Sequence, residues 1–432
     1  MIFNEKAETA NLEDLKNLQS EKLRALVKYV YKNSPVYKKR IDESGFSPES
    51  IKTIDDIIKL PFTTKDDMRD YYPFGLFSLP VGKLAELHVS SGTTGNPVVS
   101  GYSKADVDLW SEAVARSIGA AGGTPGDIIQ IAYGYGLFTG GLGLHYGSLK
   151  FGAVIMPMSS GQTKRQVKLM SDFKPKILAC TPSFALYMGE EAKAMGLTPE
   201  QISWQVGIFG AEPWTIALRD QIDQSLGLLS TDIYGLSEIT GPGVAQECHL
   251  RNGLHIWSDV FYPEIIDPKT NKPVKDGETG ELVITTLTRT GMPLLRYRTR
   301  DLVSIDKTPC ACGRTVPRIS KIKGRTDDMI IVRGINVFPT QIEHALLQVE
   351  ESLPNYQIIV DRKERGLDTL EVLVEIDQKF FSDELKGLET VRNKIKKSIE
   401  HTILVGVDVK LVERKTIERS EGKAKRVIDK RK

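Results

Sequence analysis

The sequence predicts an α/β protein: a large N-terminal domain of parallel sheets with covering helices, a small antiparallel β subdomain, and then an α+β C-terminal domain. Three observations point there. Between Val107 and Tyr234 short apolar runs alternate with helical ones, as buried parallel strands and their crossover helices do. After Phe261 the chain turns to paired strand-like segments punctuated by Asp-Pro, Asp-Gly and Thr-Gly, which are turn signals. Beyond Gly324 a third texture mixes two helical patterns with a hairpin-like one.

Taken in order, Leu12, Leu15, Leu18, Leu23, Leu26, Val27 and Val30 recur at helical spacing and predict an amphipathic helix packed on a larger body. A helical run around Val107, Trp110, Val114 and Ile118 comes next. Strands are expected over Ile128 to Ala132, Ala153 to Met156, Ile177 to Cys180, Val206 to Phe209 and Thr231 to Tyr234. Helices are expected from Phe184 to Met195 and near Ile216 to Leu226. The antiparallel subdomain falls at about 258–322. After it come a helix from Gln341 to Val349, a hairpin across Tyr356 to Ile376 turning at Glu364 to Asp368, and a helix from Leu385 to Ile403.

Composition narrows the function. With 58 Lys+Arg against 56 Asp+Glu, net +2 over 432 residues, the charge gives no reason to expect a nucleic-acid or membrane-surface partner. The stretch from Ile128 to Leu149 lacks Asp, Glu, Lys and Arg, but six glycines interrupt it. A Gly-rich loop is expected there rather than a membrane span. The opening MIFNEKAETANLEDL carries acids where a secretory signal needs basic and then apolar residues, so a cytoplasmic protein is expected. Four cysteines are too few for a disulfide scaffold.

The sharpest local feature is Ser90-Ser91-Gly92-Thr93-Thr94-Gly95, directly after His88-Val89. Small hydroxylic residues with glycines allow close backbone approach and offer N–H and O–H donors to an anion. It is not a P-loop, because Asn96 stands where that motif has Lys. Alone, such a segment is as readily a surface turn.

It is not alone. SSGTTGNP resembles the phosphate loop of the acyl-adenylate-forming (AMP-binding) ligases. Further pieces follow in that superfamily's order: Gly210-Ala211-Glu212-Pro213, Tyr234-Gly235-Leu236-Ser237-Glu238, Tyr297-Arg298-Thr299-Arg300-Asp301, Gly324-Arg325-Thr326-Asp327-Asp328 and Glu421-Gly422-Lys423. The chain length, the segment Tyr133-Gly134-Tyr135-Gly136-Leu137-Phe138 and the ending RSEGKAKRVID are similar to the phenylacetate-coenzyme A ligase branch, over nearly the whole chain. The resemblance implies ATP-dependent activation of phenylacetate or a related aryl acid to an acyl-adenylate, then transfer to coenzyme A. It also implies a mobile C-terminal domain, dividing the chain into 1–326 and 327–432.

Residue roles are carried over from the same resemblance. Ser90, Ser91, Gly92, Thr93, Thr94 and Gly95 would hold the outer phosphates, as oriented donors aimed at charge do. Glu238 would ligate Mg²⁺, a hard cation that takes carboxylate oxygens, and Ser237 would touch the α-phosphate. Gly210, Ala211 and Glu212 match the adenine-side loop, and Asp232, Tyr234, Gly235 and Arg325 fall in nucleotide-binding motifs. Asp301 would accept from both ribose hydroxyls; a salt bridge to Arg298 or Arg300 is the alternative. Lys423 would be the catalytic lysine, a mobile point charge with three donors, with its near neighbour Lys425 as the fallback choice. Asp327 is the hinge residue, and Gly334 lies on the coenzyme A side. Many relatives carry Lys where this chain has Asn96.

For the acid, Tyr135 and Phe138 with Ile239 and Pro242 would form a flat apolar slot; core packing accounts for each equally well. Cys248, His255, Cys310 and Cys312 offer a Cys₃His set for a structural Zn²⁺. His249 is a rival ligand, and small buried free thiols are the alternative. Two other functions stay open: adenylation with transfer to a carrier-protein thiol, and a non-catalytic binding module. A homodimer stays open beside a monomer.

Overall fold

The computed structural model describes residues 1–90, 96–333, 335–362, 368–377, 385–420 and 424–431. Its centre is one nine-stranded sheet. The strands run in the order Ile305–Asp306, Arg318–Ile319, Leu254–Ile256, Gly241–Glu247, Leu229–Leu236, Val206–Gly210, Ile177–Cys180, Ile128–Ile131, Val154–Pro157. The last five are parallel neighbours, and the rest join antiparallel. The expected parallel sheets are thus a single mixed sheet.

Alternation along the short strands explains why they read as continuous apolar runs. Leu178 and Cys180 pack with Phe184, Met188 and Ile222 on one face, while Ile177 and Ala179 pack with Trp110, Ile118 and Leu144 on the other. Both faces are covered, so both sets must be apolar.

The Gly-rich stretch corrects an expectation. Its second half is not a loop but the helix Thr139–Phe151. Gly143 and Gly147 lie one turn apart and face the helix Lys104–Ala121. A β-carbon at Gly143 would come within 2.3 Å of the Trp110 ring, and one at Gly147 within 2.2 Å of Val114. Close helix contact therefore selects glycine against its poor helix propensity. A further helix, Thr163–Phe173, adds to the expected set.

Phe261–Ile266, Gly280–Thr286, Tyr297–Val303 and Gly324–Arg325 form a separate four-stranded antiparallel sheet. Within the span read as antiparallel subdomain, Ile305–Asp306 and Arg318–Ile319 instead extend the large sheet. Near the C-terminus the order Asp408–Val412, Asp368–Ile376, Ser352–Arg362, Val427–Asp429 makes another four-stranded sheet. It is covered by Pro339–Leu346 and Leu385–Ile403 and closes over its own core of Val332, Ile358, Val372 and Ile395. The expected hairpin turn falls largely on 363–367, outside the described residues.

Candidate active site

Ser90 ends the strand Glu86–Ser90 and pairs with Val98, the first residue of Val98–Tyr102. The two flanks of the hydroxyl-rich segment are therefore held side by side, while Ser91, Gly92, Thr93, Thr94 and Gly95 lie outside the described residues. The first flank is fixed from below: the His88 ring bridges the Leu137 carbonyl at 3.1 Å and the Glu86 carboxylate at 3.0 Å, and Tyr146 donates to Glu86. Ser90 Oγ is buried without a hydrogen-bond partner among the described residues.

Facing these flanks is the turn after Leu229–Leu236. Gly235 is required there, since a β-carbon would lie 1.8 Å from the Gly241 carbonyl oxygen. Ser237 is held at both ends: its carbonyl accepts from the Tyr102 hydroxyl at 3.1 Å, and its hydroxyl meets that of Thr139 at 3.1 Å. Glu238 is 4% exposed and pairs with Lys65 at 3.2 Å. The buried Arg289 guanidinium donates to the carbonyls of Glu238, Ile239 and Gly101 and lies over the Tyr102 ring. An all-carbonyl cradle for a cation shapes this turn and leaves the Glu238 carboxylate to its ion pair with Lys65, a hard oxygen donor of the kind that suits Mg²⁺.

Asp301 is 2% exposed. Tyr234 donates to its Oδ2 at 2.6 Å and Arg325 to its Oδ1 at 2.7 Å. Burial pushes the Asp301 carboxyl above the ordinary range, against the pull of Arg325 and the Tyr234 hydroxyl. Of the basic neighbours the sequence offered, Arg298 pairs with Glu281 instead. The partner is Arg325, placed opposite Asp301 by strand register, and Arg325 also pairs with the exposed Asp327 at 3.0 Å. The Tyr234 ring lies in the core.

Gly210 closes its strand, and Ala211 follows in the left-handed region at φ 71. Glu212 then accepts from the backbone N–H of Ser183 at 2.7 Å and of Ala424 at 2.9 Å. Asp232, beneath this loop, pairs with Lys321 at 3.0 Å, whose ammonium sits 4.1 Å from the centre of the Trp214 ring.

Ala424 directly follows Lys423. Lys423 and Gly334 lie outside the described residues, and Lys425 is exposed. The tail is gripped a few residues earlier as well. Arg419 donates to Glu190 at 3.1 Å and to Glu375 at 2.7 Å, and Arg414 reaches Glu190 at 3.4 Å. On the same side, Glu343 accepts from the Thr215 N–H at 3.1 Å and from the Tyr356 hydroxyl at 3.1 Å. Lys65, Arg289, Glu190 and Arg419 were not singled out by the sequence, because each acts through a partner distant along the chain.

The four residues suggested for the acid are spread through this region. Ile239 is buried in the core with Tyr234 and Val244, and the Pro242 carbonyl accepts from Trp110 at 2.9 Å. Tyr135 contacts His145 at 3.3 Å, while Phe138 is 44% exposed. Elsewhere, Cys248, His255, Cys310 and Cys312 bring four donor atoms within 4.8 Å of one another, a set that could hold a metal. His249 is exposed.

Residues 3–288 match the AMP-binding enzyme family, and residues 334–431 match the AMP-binding enzyme C-terminal domain. The chain belongs to the AMP-binding enzyme family. It is 48% identical over 446 residues to a phenylacetate-coenzyme A ligase of Thermus thermophilus, covering 100% of both chains. To that of Escherichia coli K12 it is 45% identical, covering 99% of this chain and 98% of the relative. Among solved structures of AMP-binding enzymes it superposes on 2-hydroxyisobutyryl-CoA ligase in the postadenylation state. The TM-score there is 0.93 at 27% identity, covering 100% of this chain and 92% of the other. Against the same ligase with coenzyme A in the thioesterification state the TM-score is 0.73 at 29% identity, with 99% and 92% covered. Coverage hardly changes while the fit falls, so the difference lies in how the parts are arranged.

Proposed function

We propose that this protein is an AMP-forming acid–thiol ligase that converts phenylacetate or a related aryl acid to its coenzyme A thioester. A carboxylate oxygen of the acid attacks the α-phosphorus of ATP; the new P–O bond forms as the bond to the β-phosphate oxygen breaks, and pyrophosphate leaves. The thiol of coenzyme A then attacks the acyl carbonyl, forming the thioester as AMP departs and the thiol proton is lost to solvent or base.

The observation that carries this reading is identity of 45–48% to phenylacetate-coenzyme A ligases over essentially the whole chain. The site agrees with it chemically. The segment after Ser90 supplies donors to the outer phosphates. Asp301, held by Tyr234 and Arg325, accepts from the ribose hydroxyls. Glu238 and phosphate oxygens would hold Mg²⁺, which supplies charge neutralisation at the phosphates. Ala424 on Glu212 ties the residue after Lys423 to the adenine-side loop, and the Lys423 ammonium would steady the charge that develops between carboxylate and α-phosphate. For coenzyme A to enter, that tail has to withdraw; Asp327 is the pivot of this movement and Gly334 then faces the thiol, an order of events that the two states of 2-hydroxyisobutyryl-CoA ligase support.

The test is direct. Purified protein with ATP, Mg²⁺, phenylacetate and coenzyme A should release AMP, pyrophosphate and the thioester with no second protein present. Acid-dependent pyrophosphate exchange without any thioester would favour a carrier-protein acceptor, and absence of exchange across a panel of aryl acids would refute the reading.

A further inference from the structure

Away from the nucleotide residues, one side-chain cluster has a geometry that packing alone does not require. Cys248 and Cys310 sulfurs stand 4.0 Å apart, and Cys312 Sγ lies 3.4 Å from His255 Nε2. A tetrahedral zinc ion with bonds of ~2.3 Å to sulfur and ~2.0–2.1 Å to nitrogen needs about 3.8 Å between sulfurs and about 3.6 Å between sulfur and nitrogen. These two separations lie within about 0.2 Å of those values, and all four donor atoms lie within 4.8 Å of one another. A disulfide, at ~2.05 Å, does not fit 4.0 Å.

Backbone donors point into this cluster. The N–H of Leu250 points to the Cys248 sulfur and that of Arg314 to the Cys312 sulfur, each from two residues downstream. The Arg314 side chain adds a charged donor 3.6 Å from Cys312 Sγ. Three thiolates and a neutral imidazole would leave a zinc centre with one net negative charge, to which Arg314 donates a hydrogen bond while its Nε pairs with buried Glu8. Cys248 and His255 are fully buried, and Cys310 is 7% exposed.

We propose that Cys248, His255, Cys310 and Cys312 bind one structural Zn²⁺. Four protein ligands leave no open coordination position, so the ion stabilises rather than catalyses. What it joins is visible. His255 lies opposite Arg318 at the antiparallel end of the large sheet. The Cys310–Arg314 turn closes through Cys310 N–H to the Arg314 carbonyl at 2.8 Å and Gly313 N–H to the Cys310 carbonyl at 3.0 Å. Arg314 in turn donates to Glu8 at 2.7 Å and to the Met1 carbonyl at 2.6 Å. The ion would staple the chain's first residues, the sheet edge and this turn into one body.

Elemental analysis of the protein purified without chelator should find close to one zinc per chain, and Cys312→Ser should lower that several-fold. Chelation should lower the thermal midpoint, and added Zn²⁺ should restore it. Protein made in cobalt-supplemented medium should show the visible absorption of tetrahedral Co²⁺ with thiolate ligands, which decides the matter even where the serine variant does not fold. Well under one zinc per chain together with no such cobalt spectrum would overturn the proposal. So would undiminished zinc in folded Cys312→Ser, or a midpoint indifferent to chelation that removes the metal. None of these readouts depends on ligase activity.

Discussion

The backbone N–H of Ala424 donates to the Glu212 carboxylate at 2.9 Å, so the residue after Lys423 is tied to the loop that follows the strand Val206–Gly210. Glu212 also accepts from Ser183 at the start of the helix Pro182–Ala194. One carboxylate thereby connects the C-terminal tail to the carboxyl edge of the sheet, where open α/β sheets bind ligands.

The Glu190–Arg419 contact makes that attachment testable. Glu190→Ala leaves Arg419 paired with Glu375 but removes its link to the large domain. A charge-assisted hydrogen bond of this kind is worth roughly 1.5–3 kcal/mol, on the order of tenfold or more in a rate. Acid-dependent ATP–pyrophosphate exchange should fall by about that factor. Thioester formation from supplied adenylate should hold its rate, and a matching loss there would mean that Glu190 serves folding only.

Asp301 should give the site a pH signature. Its folded pKa is raised above the ordinary 3.8, chiefly by burial. The folded protein therefore holds this proton more tightly than the unfolded chain does, and the associated stability is full below 3.8 and lost as pH rises through the folded value. AMP binding has the opposite need, the ionised carboxylate. Calorimetry should find wild-type affinity falling on acidification from a pH above 3.8, with Asp301→Asn roughly tenfold weaker at neutral pH and flatter across the acid range. Equal slopes for the two proteins would remove Asp301 from the ribose.

Glu238→Gln keeps the side chain's shape and removes its charge. The Mg²⁺ concentration for half-maximal pyrophosphate exchange should rise about tenfold or more, as one carboxylate ligand is lost. An unchanged magnesium requirement would assign Glu238 to its ion pair with Lys65 alone.

Gly143→Ala and Gly147→Ala each place a methyl inside van der Waals contact of Trp110 or Val114. Overpacking of this sort costs about 1–3 kcal/mol, more than the helix propensity that alanine gains, about 1 kcal/mol. Denaturant melts should show both variants destabilised; a stabilised variant would mean that the two helices separate freely.

Much of this was legible in the residues, for identifiable reasons. Strands such as Ile177–Cys180, buried on both faces, betray themselves as short apolar runs. The helix Thr139–Phe151 was hidden because its glycines answer to a neighbouring helix, which is a tertiary fact. Thr163–Phe173 buries only Thr163, Gln166, Val167 and Met170, too narrow and too polar a stripe to stand out. Asp301 and Glu238 stand out in the sequence through the motifs that contain them. Their supports do not: Arg325 meets Asp301 only through the register of two strands, and Lys65 reaches Glu238 from far along the chain. The Cys₃His set, His255 included, could be read from residue types, but setting His249 aside required knowing that its side chain is exposed.

In the proposed mechanism Lys423 arrives beside the α-phosphate for the first half-reaction and leaves before the second. Measuring both half-reactions in Lys423→Ala tests this most directly. Acid-dependent ATP–pyrophosphate exchange should be abolished, while thioester formation from supplied phenylacetyl-adenylate and coenzyme A continues near the wild-type rate. Equal loss of both half-reactions, or exchange that survives, would contradict it.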